Sequence, residues 1–115
     1  MNHIKAENLL FEDFAKLDLR VGTIQTAENI KNSKKLLKLE VFFGKEIGTR
    51  IILAGIAGSY QPNLLGGRKV VAVLNLAPRS MMGIESHGML LASQDKQDII
   101  WLMDPGPIED GAEVG

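Results

Sequence analysis

Arg50-Ile51-Ile52-Leu53-Ala54-Gly55-Ile56 is followed by Ser59-Tyr60-Gln61-Pro62 and, beyond Gly66-Gly67, by Lys69-Val70-Val71-Ala72-Val73-Leu74-Asn75-Leu76. The first segment is a near-continuous apolar run, which predicts a strand buried on both faces. The second opens a short helical turn through Leu65, which the glycine pair then ends. The third carries Val70, Val71 and Val73, the β-branched residues that a pleated surface favours. Strand, one helical turn, strand is therefore the predicted order, and the connection is too short for a crossover helix.

The chain before this stretch reads the same way. Leu19, Val21 and Thr23 alternate with Arg20, Gly22 and Ile24 in a first strand, and Gly22 predicts a bend or bulge there. Asn29–Lys35 is a polar loop. Leu36–Phe43 is a second strand, with Leu37, Leu39 and Val41 on one side, and Gly44–Gly48 turns into the third. A short helix is expected over Ala6–Lys16, where Leu10, Phe14 and Leu17 recur at helical spacing. After Leu76 comes a long loop, Ala77–Gly88, then strands at Met89–Ser93 and Ile99–Met103, a turn at Asp104-Pro105-Gly106-Pro107 and an acidic tail. Five or six short strands without βαβ alternation predict an all-β protein, a five-stranded Greek-key barrel. A helix between the third and fourth strands is the OB-fold arrangement, whose contacts come from the strand 2–3 face and the loops joining strands 1–2 and 4–5.

Composition agrees with one globular domain spanning residues 1–115. Apolar residues make up 45% and charged residues 23% of 115, ordinary globular usage that argues against disorder. The longest apolar stretch, Ile51 to Ala57, is far short of a membrane span, and Lys5, Glu7, Glu12 and Asp13 break up any leader-like opening. With no cysteine, disulfides, zinc–thiolate sites and thiol catalysis are excluded. A reducing cytoplasm is the expected location, although a cysteine-free chain also suits secretion.

The formal charge of −1 conceals a segregation. Residues 16–79 carry eleven Lys/Arg against four Asp/Glu, whereas residues 80–115 carry one Lys against seven acids. A polyanion feels the field within about 10 Å rather than the total. The two blocks could instead neutralise each other once folded. The OB arrangement favours the first possibility: Lys31, Lys34 and Lys35 fall in one expected contact loop and Arg79 in the other. On that reading the last strands and the acidic tail must face away from both loops. The second loop, Asn75 to Met89, offers a cation, hydroxyls, an amide and three methionines. Arg79 and backbone N–H groups suit phosphates, and thioethers suit sugars or base faces. The alternative is a structural loop whose methionines fill the barrel end.

Six segments then combine into a recognisable pattern. Asp18-Leu19-Arg20-Val21-Gly22, Ser33-Lys34-Lys35-Leu36-Leu37, Tyr60-Gln61-Pro62, Gly67-Arg68, Asn75-Leu76-Ala77-Pro78 and Ser86-His87-Gly88-Met89 occur in that order. Over roughly residues 11–110 the chain resembles the tRNA-binding domain appended to bacterial methionyl-tRNA synthetases, also found as stand-alone structure-specific tRNA-binding proteins. Secretion-chaperone-like proteins share the Leu-Arg-Val-Gly pattern but usually lack the Ser-x-Gly-Met ending kept here.

The resemblance implies a homodimeric, non-catalytic barrel that grips tRNA by its folded shape. It places RNA contacts at Lys35, Asn75, Arg79, Met81, Ser86 and Met89, and Lys34 adds a positive charge where relatives often carry an acid. Ser80 and Met82 stand where relatives often have bases, which removes some. A stand-alone protein and a synthetase extension both fit, and so does a peptide-binding, chaperone-like module using Met81, Met82 and Met89.

Aromatic residues are scarce. Phe11, Phe14 and Phe42 sit at positions expected to be buried, and Trp101 is expected in the core or at a dimer interface. Phe43 and Tyr60 are the rings left for stacking, too few for a platform that reads a single strand. Ser86-His87 lacks a convergent base for a triad. Two histidines without cysteine support no transition-metal site, and Gly66-Gly67-Arg68-Lys69 lacks phosphate-loop spacing. No cofactor is expected. Asp18 and Arg20 read as a surface salt bridge.

Overall fold

The computed structural model describes residues 7–115. Its elements are helix α1 (Phe11–Ala15), strands β1 (Leu19–Asn29), β2 (Leu37–Phe42) and β3 (Thr49–Ala54), a 3-10 turn (Pro62–Leu64) and β4 (Lys69–Val73). Then follow β5 (Arg79–Met81), β6 (Ile84–Ser86), β7 (Met89–Leu90), β8 (Ala92–Gln94), β9 (Ile100–Leu102) and β10 (Glu113–Val114). The main sheet runs β3-β2-β1-β4-β7 and is antiparallel, with β10 also paired to β1. It curls into the expected OB-type barrel, with the helical turn between β3 and β4.

The long first strand makes this curl possible. Its start pairs with β4, from Leu19↔Val73 to Thr23↔Lys69, and its end pairs with β2, from Thr23↔Phe42 to Asn29↔Leu37. The register slips between Ile24 and Thr26, so the bulge falls at Gln25, three residues beyond the predicted position. Gly22 serves a different purpose. A Cβ there would lie 2.6 Å from the Phe43 ring and 2.8 Å from Val41 Cγ1, so the missing side chain lets the ring pack against the strand.

Alternation explains the core. Leu37, Leu39 and Val41 point inward along β2, and Phe43 continues the same side; all are essentially inaccessible. Ile24, Ile52, Leu65 and Val70 meet them from β1, β3, the turn and β4. Phe42, expected in the core, points the other way and is half-buried. Phe43, expected as an exposed ring, is the buried one. Helix α1 buries none of its residues: Phe11 is 76% and Phe14 43% exposed. The helical stripe is present, but none of the described residues covers it. The portion of the expected helix before residue 7 lies outside the described residues.

Two segments expected as irregular are strands. The loop after β4 contains the β5–β6 hairpin, from Arg79↔Ser86 to Met81↔Ile84. Met82 and Gly83 take positive φ at its tip, the geometry of a tight two-residue hairpin turn. The acidic tail ends in β10, paired with Leu19 and Arg20. Asp110 accepts hydrogen bonds from Lys69 Nζ at 2.7 Å and Thr23 Oγ1 at 2.6 Å. The Arg20 guanidinium donates to Asp18, Glu113 and the Gly111 carbonyl. The Asp18 hydrogen bond, above all, raises the Arg20 pKa beyond its ordinary value, so the expected pair belongs to a larger network that fastens the tail.

Candidate nucleic-acid interface

Lys34 and Lys35 stand at the far end of β1 from this network. Their loop is a defined turn: Asn32 has φ 68°, Ser33 N–H donates to Ile30 O, and Ser33 Oγ accepts from Leu36 N–H at 3.1 Å. Ala57 N–H donates to Lys35 O, which joins the loop to the segment after β3. Both ammonium groups are exposed, with no carboxylate within salt-bridge distance among the described residues.

The β5–β6 hairpin is anchored from below. Ser86 is the buried polar residue of the site; its Oγ accepts from Leu53 N–H at 3.0 Å and donates to Gly88 O at 3.2 Å. His87 N–H donates to Ile51 O. Arg50 Nη1 donates to Leu74 O and His87 O, so that guanidinium, part of the basic surplus, is used internally. On this base Arg79 projects into solvent, Met81 is half-buried and Met89 is exposed.

Two adjoining cavities are lined by these groups. One of about 510 Å³ is lined by Lys34, Lys35, Gly55, Gly58, Ser59, Gln94, Asp98 and Ile100. The other, of about 290 Å³, is mainly apolar, with Arg79, Met81 and Met89 beside Leu53, Ile56 and Leu102. They share Gly55 and Ile100 and form one cleft. Lys34 and Lys35 line the first cavity, and Arg79, Met81 and Met89 line the second.

Two other predicted contacts have different places. Ser86 is buried, and its hydroxyl supports the hairpin. Asn75 lines neither cavity; its side chain accepts from Asp18 N–H at 2.7 Å and donates to Lys16 O at 2.6 Å, tying the loop to the start of β1.

The β8–β9 hairpin, formed where the last two strands were expected, completes the cleft, a role to which no sequence signal pointed. Ser59 Oγ accepts from Ile100 N–H, and Tyr60 Oη accepts from Leu102 N–H at 3.0 Å. Tyr60 thus positions β9 while Arg68 lies over its ring at 5.0 Å, so it is no open stacking platform. At the hairpin's turn, Asp95 accepts from Gln97 and Ile99 N–H and from the Trp101 indole. The indole hydrogen bond first, and the Ile99 bond next, hold the Asp95 carboxyl below the usual aspartate range. Trp101 is 56% exposed and so lies outside this chain's core. The turn carries Asp98 into the lysine-lined cavity, so the acidic block does not face away as a whole: the tail does, and Asp98 does not.

His87 Nε2 lies 2.9 Å from Glu85, whereas the Ser86 hydroxyl faces the backbone. Among the described residues no group of His, Asp or Glu is placed to hold a metal ion, and no helix is long and apolar enough to cross a membrane.

A curled OB barrel whose cavities are lined by thioethers and by cations unpaired among the described residues is an arrangement found in oligonucleotide-binding modules. The family described as "Putative tRNA binding domain" matches residues 19–113. A methionine–tRNA ligase of Methanococcoides burtonii is 50% identical over 97 residues, covering 84% of this chain and 14% of the ligase; the chain thus spans about one seventh of that enzyme. Among solved structures, a methionyl-tRNA-synthetase-related protein from Pyrococcus horikoshii is 37% identical with a TM-score of 0.87, covering 96% of this chain and 100% of that one. The chaperone CsaA of Bacillus anthracis is 32% identical with a TM-score of 0.86, covering 95% and 100%. The chain belongs to the tRNA binding domain family.

Proposed function

We propose that this chain binds tRNA through the cleft between the Lys34–Lys35 loop and the β5–β6 hairpin, recognising folded shape and backbone charge without catalysing a reaction. One observation carries this reading. Lys34 and Lys35 line one cavity and Arg79 the adjoining one, none of them within salt-bridge distance of a carboxylate among the described residues, while the acidic tail is paired at the opposite end of β1. The module works as a single domain and raises tRNA affinity for a methionyl-tRNA synthetase, in cis or in trans, in the cytoplasm. Linking or recruiting a second tRNA contact makes weak binding effective.

A homodimer fits the uncovered apolar surfaces. Phe11 and Phe14 on α1, and Trp101 and Met103 at β9, are too exposed for the core of one chain, and a second copy would bury them.

The structural likeness to CsaA favours one competing reading, peptide binding on the same fold. Gel-shift titration with tRNA at several salt concentrations separates the two. Counterion release makes electrostatic RNA binding fall steeply as salt rises, whereas apolar peptide binding does not follow that dependence. A folded protein that fails to shift tRNA even at low salt removes the tRNA reading.

A further inference from the structure

We propose that the apolar half of the cleft is a slot for one unstacked nucleobase, with the adjacent phosphates of the strand held by Lys34, Lys35 and Arg79. This rests on the tRNA reading and adds a contact to a base, where shape and backbone recognition alone need none.

The slot exists because the sheet does not close. Its order β3-β2-β1-β4-β7 leaves β3 and β7 as the two ends, and the 290 Å³ cavity is lined from both, by Leu53 and Ala54 of β3 and by Met89 and Leu90 of β7. Met81, Ile100 and Leu102 complete a wall of hydrocarbon and thioether, and Arg79 is the one charged side chain lining it.

An apolar slot excludes a bare phosphate, whose burial without partners is costly. A flat base presents an apolar face, and a polarizable thioether suits such a face. The charges around the slot point to a nucleotide rather than an apolar peptide. Arg79 lies on the hairpin side, and Lys34 and Lys35 line the cavity that continues past Gly55. A Cβ at Gly55 would meet nothing within 4 Å, so the space beside the residue shared by the two halves is open. A base seated in the slot thus has cations on two sides for its own and its neighbours' phosphates.

The test compares tRNA with a fully paired RNA duplex of equal length, which offers phosphates but no free base. The M81A/M89A variant removes the thioethers and keeps every charge. Met89 is 46% exposed and Met81 half-buried, and an unchanged thermal melt checks the fold. The expected result is a roughly tenfold loss for tRNA, the size of two thioether–ring contacts, with duplex affinity and the tRNA salt slope unchanged. Equal loss on both RNAs, or no loss on tRNA, overturns the slot while leaving tRNA binding standing. Wild-type protein that binds neither RNA instead refutes the reading beneath it.

Peroxide footprinting on the unaltered protein gives a second measurement, since exposed thioethers oxidise readily. Saturating tRNA should protect Met81 and Met89 more than saturating duplex does. Protection by an extended apolar peptide but not by tRNA overturns the proposal in favour of a peptide occupant.

Discussion

The two ends of β1 carry cations of opposite fate. At its start, Arg20 is bound to Asp18, Glu113 and a backbone carbonyl, and Lys69 is bound to Asp110. At its finish, Lys34 and Lys35 have no such partner among the described residues, and neither does Arg79 across the cleft. The first group fastens the chain's last residues to the barrel. The second is available to a polyanion. Charge totals along the sequence add the two kinds together; partners separate them. Lys16 and Lys38 also have carboxylate neighbours, at 3.7 and 3.6 Å, although such exposed pairs contribute little.

The sharpest way to break this contrast is to remove the free group. The K34A/K35A/R79A variant should lose about a hundredfold or more in tRNA affinity at low salt. Its slope of log affinity against log salt should flatten by about 2–3, close to one for each phosphate left without its cation. Gel-shift titration across salt measures both quantities. A weakened affinity with the original slope would mean that these side chains do not face phosphates.

The other end should respond in stability. Gly22→Ala forces the Phe43 ring and Val41 apart at distances no Cβ tolerates, and overpacking of this kind costs about 1–3 kcal/mol. Urea unfolding should show an earlier midpoint at unchanged slope, while the folded fraction binds tRNA as before. Wild-type stability in this variant would mean that the ring moves aside freely and that Gly22 is not there for packing.

Much of the division was legible in the sequence. The β-branched runs, the helical turn between β3 and β4 and the two glycine-limited turns placed the barrel, and the lysine loop and Arg79 lie where OB logic set them. The aromatic residues were harder to place. Alternation along Leu37, Leu39 and Val41 puts Phe43 inside, whereas ring size alone favours Phe42 equally. For α1, periodicity marks a stripe that wants covering and cannot say whether the cover lies in the same chain; Phe11 and Phe14 are exposed for that reason.

Asn75 and Ser86 satisfy backbone groups far away in sequence, at Asp18 and Leu53, and such pairings have no local signature. The β5–β6 hairpin is hard to see because Pro78 and Gly83 punctuate it like a loop. Asp98 reaches the cleft through a turn whose sequence, Asp95 to Ile99, resembles any solvated hairpin end.

Asp98 gives a smaller and opposite effect. It brings negative charge into the cavity lined by Lys34 and Lys35, where an approaching phosphate meets it. Asp98→Asn should tighten tRNA binding by roughly two- to fivefold at low salt, the scale of one solvent-screened charge at short range, and the gain should shrink as salt rises. Weaker binding instead would assign Asp98 a favourable hydrogen bond to the RNA and reverse its role.

The smallest effect concerns Asp95, which holds that turn in shape. Its carboxylate accepts from the Trp101 indole at 3.0 Å and from two backbone N–H groups, and these bonds depress its pKa in the folded protein. A carboxyl that is more acidic when folded stabilises the fold above its unfolded pKa, and the contribution disappears as pH falls through the lower, folded value. The turn should therefore stay closed from neutral pH down to the ordinary aspartate range and loosen only below it. Trp101 is the chain's single tryptophan, so its fluorescence reports on this bond without interference. Emission should remain constant until the pH drops beneath that range, then change, and Asp95→Ala should show the altered emission already at neutral pH. A transition centred above the ordinary aspartate value would mean that the indole bond does not favour the charged carboxylate, and the turn that carries Asp98 into the cleft would need another support.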